Sequence, residues 1–339
     1  MQQRFYIFLL SFFVITMTSA QDLHFSNIHS MTQQVFPEFA GLNNDLEATV
    51  YYRNQWKAMG TKYGALGASC ASTLQAKHKI NGSHLAGGLN FYREQMNKDA
   101  SLTAARLTIV QHQLLSRFSK LSIGLNVGFQ SLSFDPANGT WGSQHDGISY
   151  NPNLISGETF NTTNKTGLDV GSGIVYSLRH KKSSTHLFQI GLSAQHLNRP
   201  NMSFYGDRSG YLPVKFVGYT SLNLKIGERG SYFQPTILIQ NQSKFSSITF
   251  GGLFKMNLQE KAITTSNFSK TNKVLVGIGA YYRSQDAFIA CLNLQKTSWN
   301  VSLAYDFTVS NLKNYNYSRG GIELQFQYVI PKFQLDHGY

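Results

Sequence analysis

Apolar and polar positions alternate with a period of two along most of this chain. In Gly321–Tyr328 the residues Ile322, Leu324, Phe326 and Tyr328 share one side, and Glu323, Gln325 and Gln327 the other. Successive side chains of an extended strand point to opposite faces, so such a segment carries one oily and one wet surface. The same rule sets Leu121, Ile123, Leu125, Val127 and Phe129 against Ser122, Gly124, Asn126, Gly128 and Gln130. It sets Val214, Phe216, Leu222, Leu224 and Ile226 against Lys215, Asn223 and Lys225. Further on, Trp299, Val301, Leu303, Tyr305 and Phe307 oppose Asn300, Ser302, Ala304 and Asp306. A buried helix would repeat its apolar residues at three and four instead. The oily side is rich in Leu, Phe and Tyr and the polar side is uncharged or mixed, which implies two solvents. A closed barrel with lipid outside and water inside meets both.

The pattern predicts about fourteen antiparallel strands in an all-β, transmembrane, outer-membrane barrel. They are Leu46–Lys57, Tyr63–Ala76, His84–Glu94, Ser101–Ser116, Phe118–Ser133, Leu168–His180 and Thr185–Leu197. The second half comprises Pro213–Gly227, Ser231–Asn241, Ser246–Leu258, Lys273–Arg283, Ala287–Gln295, Trp299–Val309 and Arg319–Ile330. An even count brings both barrel ends to one side, which for this class is the periplasm. The insertions Phe134–Gly167, Asn198–Leu212 and Ser310–Ser318 then fall outside, and tight turns at Arg117 and Glu228–Gly230 fall in the periplasm. The stretch Gln259–Asn272 departs from this rule as a long periplasmic connection, either a docking loop or a miscounted strand.

Met1–Ala20 reads as a cleaved export leader, with Arg4 its one charge, an apolar stretch from Phe5 to Met17 and small residues at Thr18-Ser19-Ala20. The expected organisation is a leader at 1–20, an N-terminal periplasmic or plug segment at 21–45, the barrel at 46–331 and a tail at 332–339. The apolar run is shorter than the ~20 residues a spanning helix needs. Composition agrees: charged residues are 14%, well below the ~25% of soluble domains. Cys70 and Cys291 lie in separate strands, compatible with one disulfide or with two buried thiols.

Net charge is +13. Lys and Arg are dispersed, with His180-Lys181-Lys182 the one small cluster, and no aromatic-basic recognition motif accompanies them. A nucleic-acid partner is therefore not indicated. The positive charge is expected to line the lumen and loops, where it would attract anionic headgroups, acidic solutes or an acidic partner.

No catalytic, cofactor-binding or metal-binding motif is present. The ten His lack the spacing of a zinc hydrolase helix, and there is no nucleophile elbow or phosphate loop. Asp135, Asp146 and Glu158 are too dispersed for a calcium loop, and the Asn138-Gly139-Thr140 and Asn161-Thr162-Thr163 triplets are ordinary for so polar a chain. His196 falls on the apolar face of its strand beside a loop and is expected to be an interface residue.

The stretch Gln21-Asp22-Leu23-His24-Phe25-Ser26, followed by Phe36-Pro37-Glu38-Phe39-Ala40-Gly41, resembles the mature start of the PorP/SprF family, with Phe36 and Glu38 in place of the usual Asn and Ala. Tyr52-Arg53-Asn54-Gln55-Trp56 resembles its first-strand motif. Leu303–Leu312 and Gly321-Ile322-Glu323-Leu324 resemble its last two strands, with Arg319-Gly320 where a Ser-His pair is common. The resemblance implies a non-enzymatic outer-membrane component of type IX secretion and gliding that needs no cofactor. It also implies partners: outer-membrane lipid, secretion-system components, a secreted surface protein such as an adhesin, and a peptidoglycan-linked periplasmic protein. The alternative is a channel for a small hydrophobic or anionic solute.

The candidate partner or lumen residues are Tyr52, Arg53, Gln55, Trp56, Asp306 and Glu323. Tyr52 and Trp56 suit a rim anchor at the lipid interface. Arg53 and Gln55 share the other face, where pairing with Asp306 or Glu323 would satisfy an ion in the wall.

Overall fold

The computed structural model describes residues 22–331 apart from 23, 30–34, 61–62, 75–82, 137–138, 161, 181–182, 206–209, 228–229 and 259–273. The leader, the Lys181-Lys182 pair, the Gln259–Asn272 connection, the 332–339 tail and Asn138 and Asn161 lie outside the described residues.

Fourteen antiparallel strands close into one barrel in strict sequence order, the first pairing with the last. They are β1 (Asn44–Gln55), β2 (Tyr63–Thr73), β3 (His84–Met96), β4 (Ala100–Ser116), β5 (Ser119–Phe134), β6 (Asn164–His180) and β7 (Ser183–Gln195). The circuit continues through β8 (Lys215–Ile226), β9 (Ser231–Gln242), β10 (Phe245–Asn257), β11 (Val274–Arg283), β12 (Ala287–Lys296), β13 (Trp299–Thr308) and β14 (Arg319–Pro331). Closure of this kind leaves no edge strand with unpaired backbone groups, the condition for crossing hydrocarbon. Among the described residues no helix is long and apolar enough to cross a membrane.

Side-chain parity holds around the ring. Leu125 is 51% exposed and Leu303 36%, both on the outer wall, while Asn126, Ser302, Ala304 and Asp306 are buried inside. Strand β8 begins at Lys215, two residues after the Pro213 expected to open it, because proline has no N–H to give a ladder. The connections spanning 135–163, 196–214 and 309–318 emerge at one end of the barrel, and two-residue turns at 117–118 and 297–298 at the other.

Three expectations change. The inner face meets protein rather than water alone. The described residues from Asp22 to Leu42 occupy the lumen, and Ile28, Val35, Phe36, Phe39 and Leu42 form one apolar cluster with Tyr219, Leu238, Leu253, Tyr281 and Ile289 of the wall. Secondly, the buried charges are nearly balanced. Arg53, Arg106, Lys215, Lys255 and Arg283 stand against Glu38, Glu47, Glu94, Asp169, Asp306 and Glu323. The positive excess therefore lies outside this set; within it Arg53, Arg106, Lys215 and Arg283 meet carboxylates, whereas Glu38 fits as the neutral acid. Thirdly, Cys70 and Cys291 form no disulfide: Cys70 is exposed on the outer face and Cys291 is buried in the lumen.

Candidate functional site

The described residues of the chain's own N-terminal segment occupy the lumen, and two buried ionic clusters pin its first part. Register places Arg53 of β1 directly across from Glu323 of β14. Arg53 Nη1 donates to Glu323 Oε2 at 2.8 Å and Nη2 to Asp306 Oδ2 at 3.0 Å. Arg283 Nη2 donates to the same Asp306 oxygen at 2.8 Å. The plug enters this cluster as a partner: the backbone N–H groups of Ser26 and Asn27 donate to the two Glu323 oxygens at 2.8 and 3.1 Å. Arg53 Nη1 also donates to Ser26 Oγ at 2.6 Å. Charge-assisted bonds of this type are about twice as strong as neutral ones.

The second cluster holds Asp22. His196 lies just past β7 with φ 58, a left-handed backbone that turns its ring inward, away from the outer face that simple alternation assigns it. Its Nε2 is 2.8 Å from Asp22 Oδ2 and its Nδ1 2.7 Å from Asp169 Oδ1, so the ring donates to a carboxylate from each side. Arg106 Nε donates to the other Asp169 oxygen at 2.7 Å, and Lys215 Nζ stands 3.5 Å from Asp22. His196 is therefore a structural bridge in the lumen rather than an interface residue.

The later part of the plug is held by shape and by hydrogen bonds to its backbone, Gln195 Nε2 donating to the Val35 carbonyl at 2.6 Å. A short 3-10 turn at Pro37–Phe39 is buried, with Phe36 and Phe39 rings 5.4 and 5.5 Å from Tyr219. Glu38 points at the inner wall, where a Cβ on Gly173 would overlap its carboxyl group and one on Gly124 would overlap its backbone. Among the described residues neither Glu38 oxygen has a hydrogen-bond partner. An ionised carboxylate there would cost several kcal/mol, so the neutral acid is the form that fits. Below the turn, His112 Nε2 donates to the Ala40 carbonyl at 2.9 Å while its Nδ1 lies 2.6 Å from Ser122 Oγ. Gly41 follows with φ +68, and a side chain there would strike Ala86.

A family model, described as type IX secretion system membrane protein PorP/SprF, matches residues 17–328. The chain belongs to the PorP/SprF family. No curated protein matches its sequence. Among solved structures, the TodX deltaS2S3 mutant monoaromatic hydrocarbon channel is similar at TM-score 0.49 and 10% identity, covering 87% of this chain and 91% of that one. CdiB from Escherichia coli follows at 0.44 and 8%, covering 84% and 62%. BamA from Haemophilus ducreyi lacking POTRA domains 1-3 stands at 0.42 and 8%, covering 84% and 70%.

Of the six residues singled out in this PorP/SprF chain, Arg53, Asp306 and Glu323 meet in the first cluster. Gln55 Oε1 accepts from Arg53 Nε and Nη2 at 3.1 and 2.9 Å. Tyr52 is on the outer wall, 46% exposed. Trp56 turns off the strand at φ 58, its ring 4.9 Å from Tyr63. The family motif is thus divided between wall and lumen. Arg283, Arg106, Asp169 and His112 were not singled out. All four occupy inward positions of their strands, a signal alternation does carry, but it does not name a partner.

In the loop 135–163, Asp146 is fully exposed, and N–H donation from Ser149 and Ile148 holds its carboxyl below the ordinary range. Its Oδ1 accepts those bonds at 2.7 and 2.9 Å, a local turn. Among the described residues no group of three or more His, Cys, Asp or Glu could hold a metal ion.

Proposed function

We propose that this outer-membrane component of type IX secretion works as a closed scaffold. The single observation that carries this reading is the filled lumen: two ionic clusters and an apolar core hold the described residues between Asp22 and Leu42 inside the wall. The barrel supplies a rigid ring with nothing to conduct. Its end with the long connections faces outward and holds a secreted surface protein such as an adhesin during gliding. Its opposite end, where β1 begins and β14 ends, faces the periplasm and meets secretion-motor or peptidoglycan-linked components. Removal of the leader after Ala20 is compatible with Asp22 lying in the lumen. The role is structural, and no catalytic step is assigned.

Two measurements test this. The full-length protein in planar bilayers should show no steady open state, and affinity capture from native outer membranes should return type IX secretion components. A large steady conductance without such partners would replace the scaffold with a small-solute channel.

A further inference from the structure

The outer wall of β14 and β1–β5 is not smooth. Register aligns Phe326, Val50, Ala68, Phe91, Ala105 and Phe129 in one outward row. A neighbouring row runs Tyr328, Ala48, Cys70 and Leu89. Small residues on β1, β2 and β4 between bulky ones leave an apolar groove of about 760 Å³. Six strands at ~4.8 Å spacing make it roughly 24 Å across.

One step along the same strands toward the long connections, the chemistry changes. The row after Phe91–Ala105–Phe129 is Arg93–Thr103–Ser131, and the next is Gln95–Ser101–Ser133. These rows, the 97–99 hairpin and the start of the 135–163 connection enclose a pocket of about 430 Å³. Two cations, Arg93 and Lys98, and two acids, Asp99 and Asp135, line it. Neither Arg93 nor Lys98 makes an ion pair among the described residues; Arg93 Nη2 donates only weakly to Ser101 Oγ at 3.5 Å. The Asp135 N–H donates to the Asp99 carbonyl at 2.7 Å, which ties the loop to the hairpin and fixes the pocket wall.

We propose that this apolar groove, with the mixed-charge pocket directly above it on β3–β5, seats one phospholipid whose headgroup carries both a phosphate and an amine. The aliphatic chains lie among Ala68, Cys70 and Ala105. The guanidinium of Arg93 and the ammonium of Lys98 receive the phosphate, a planar fork and a point charge suited to its oxygens. Asp99 and Asp135 receive the amine. The match is twofold: oil meets oil below, and both headgroup charges meet their opposites above. It does not depend on the scaffold reading, and it places the lipid in the leaflet on the side of the long connections.

The test uses the full-length protein in mild detergent, delipidated and titrated with lipids of identical acyl chains, with retention read by native mass spectrometry. Phosphatidylethanolamine should be retained most, phosphatidylglycerol less and diacylglycerol least. Arg93→Gln with Lys98→Gln should weaken phosphatidylethanolamine about tenfold, the scale of losing charge-assisted hydrogen bonds. Ala68→Trp should weaken all three. In the unaltered protein, phosphatidylethanolamine should also slow labelling of Cys70 by a lipophilic maleimide, a readout that survives should a variant misfold. Equal retention of diacylglycerol, equal retention of phosphatidylglycerol, or unprotected Cys70 would each overturn the assignment.

Discussion

Two sectors of the lumen wall hold the same plug by different physics. Around β1, β11, β13 and β14 the grip is electrostatic: Arg53, Arg283, Asp306 and Glu323 close on the Ser26–Asn27 backbone. Around the Pro37–Phe39 turn it is steric: Gly124 of β5, Gly173 of β6 and Gly191 of β7 make a hollow for it. Among the described residues the Glu38 carboxyl rests there without a partner, while the Asp22 cluster toward the long-connection ends of β6 and β7 is ionic again. The first sector is specific in charge and demanding in what it loses. The second is specific in volume and demanding in what it will not accept. A plug held in both ways resists two kinds of change, and each kind can be probed separately.

The largest effect should come from the electrostatic side. Among the described residues, Arg53→Ala would leave Glu323 buried with no side-chain cation in contact, while Arg283 would still pair with Asp306 and Asp286. Breaking a buried pair by removing one partner costs roughly 3–5 kcal/mol. Denaturant unfolding of the detergent-folded barrel should show that loss, and bilayer recordings should show intermittent opening as residues 26–27 detach. Unchanged stability with a closed lumen would mean the steric sector suffices alone.

How far was this legible beforehand? The barrel was, since alternation alone separates Leu125 from Asn126 and Leu303 from Asp306, and the sequence order of the strands needs no crossover. Arg53 and Glu323 could be placed inward by parity, and an inward ion demands a counter-ion. Arg283 and Arg106 obey the same parity, yet their partners sit on strands whose circumferential distance no single sequence reveals. The balance of lumen charge was misjudged because net charge sums over loops and wall together. His196 escaped because one left-handed residue past a strand end reverses the side it faces. The glycine hollow was the least visible feature. Glycine within a strand reads as curvature, and nothing in Gly173 itself announces that a carboxyl group from a distant turn will lie against it.

A comparably large change on the outer wall should leave the grip on the plug alone, which sharpens the contrast between sectors. Leu125→Arg puts a charge on the lipid face, 51% exposed, next in sequence to the glycine hollow. A charge at the bilayer midplane costs roughly 2–4 kcal/mol. Folding yield into vesicles should fall accordingly, while the fraction that does fold stays closed to ions. If the folded fraction conducts, wall and plug are coupled and the two sectors are not separable.

The steric sector should respond most weakly in stability and most clearly in conductance. Gly173→Val would place methyl groups where the Glu38 carboxyl lies, and overpacking of this kind costs typically 1–3 kcal/mol. Because the turn is short and the clash is with a plug side chain rather than the ladder, the barrel should relieve it by moving Pro37–Phe39 rather than by unfolding. Gly191→Ala is the internal comparison: a Cβ there would stand 3.5 Å from Glu38 Oε1, ordinary contact, so it should alter neither stability nor conductance measurably. An opened lumen in Gly173→Val with a closed one in Gly191→Ala assigns closure to shape at one position on β6. Closure in both would give the electrostatic sector sole responsibility for the seal, and opening in both would mean that β7 presses on the plug as tightly as β6 does.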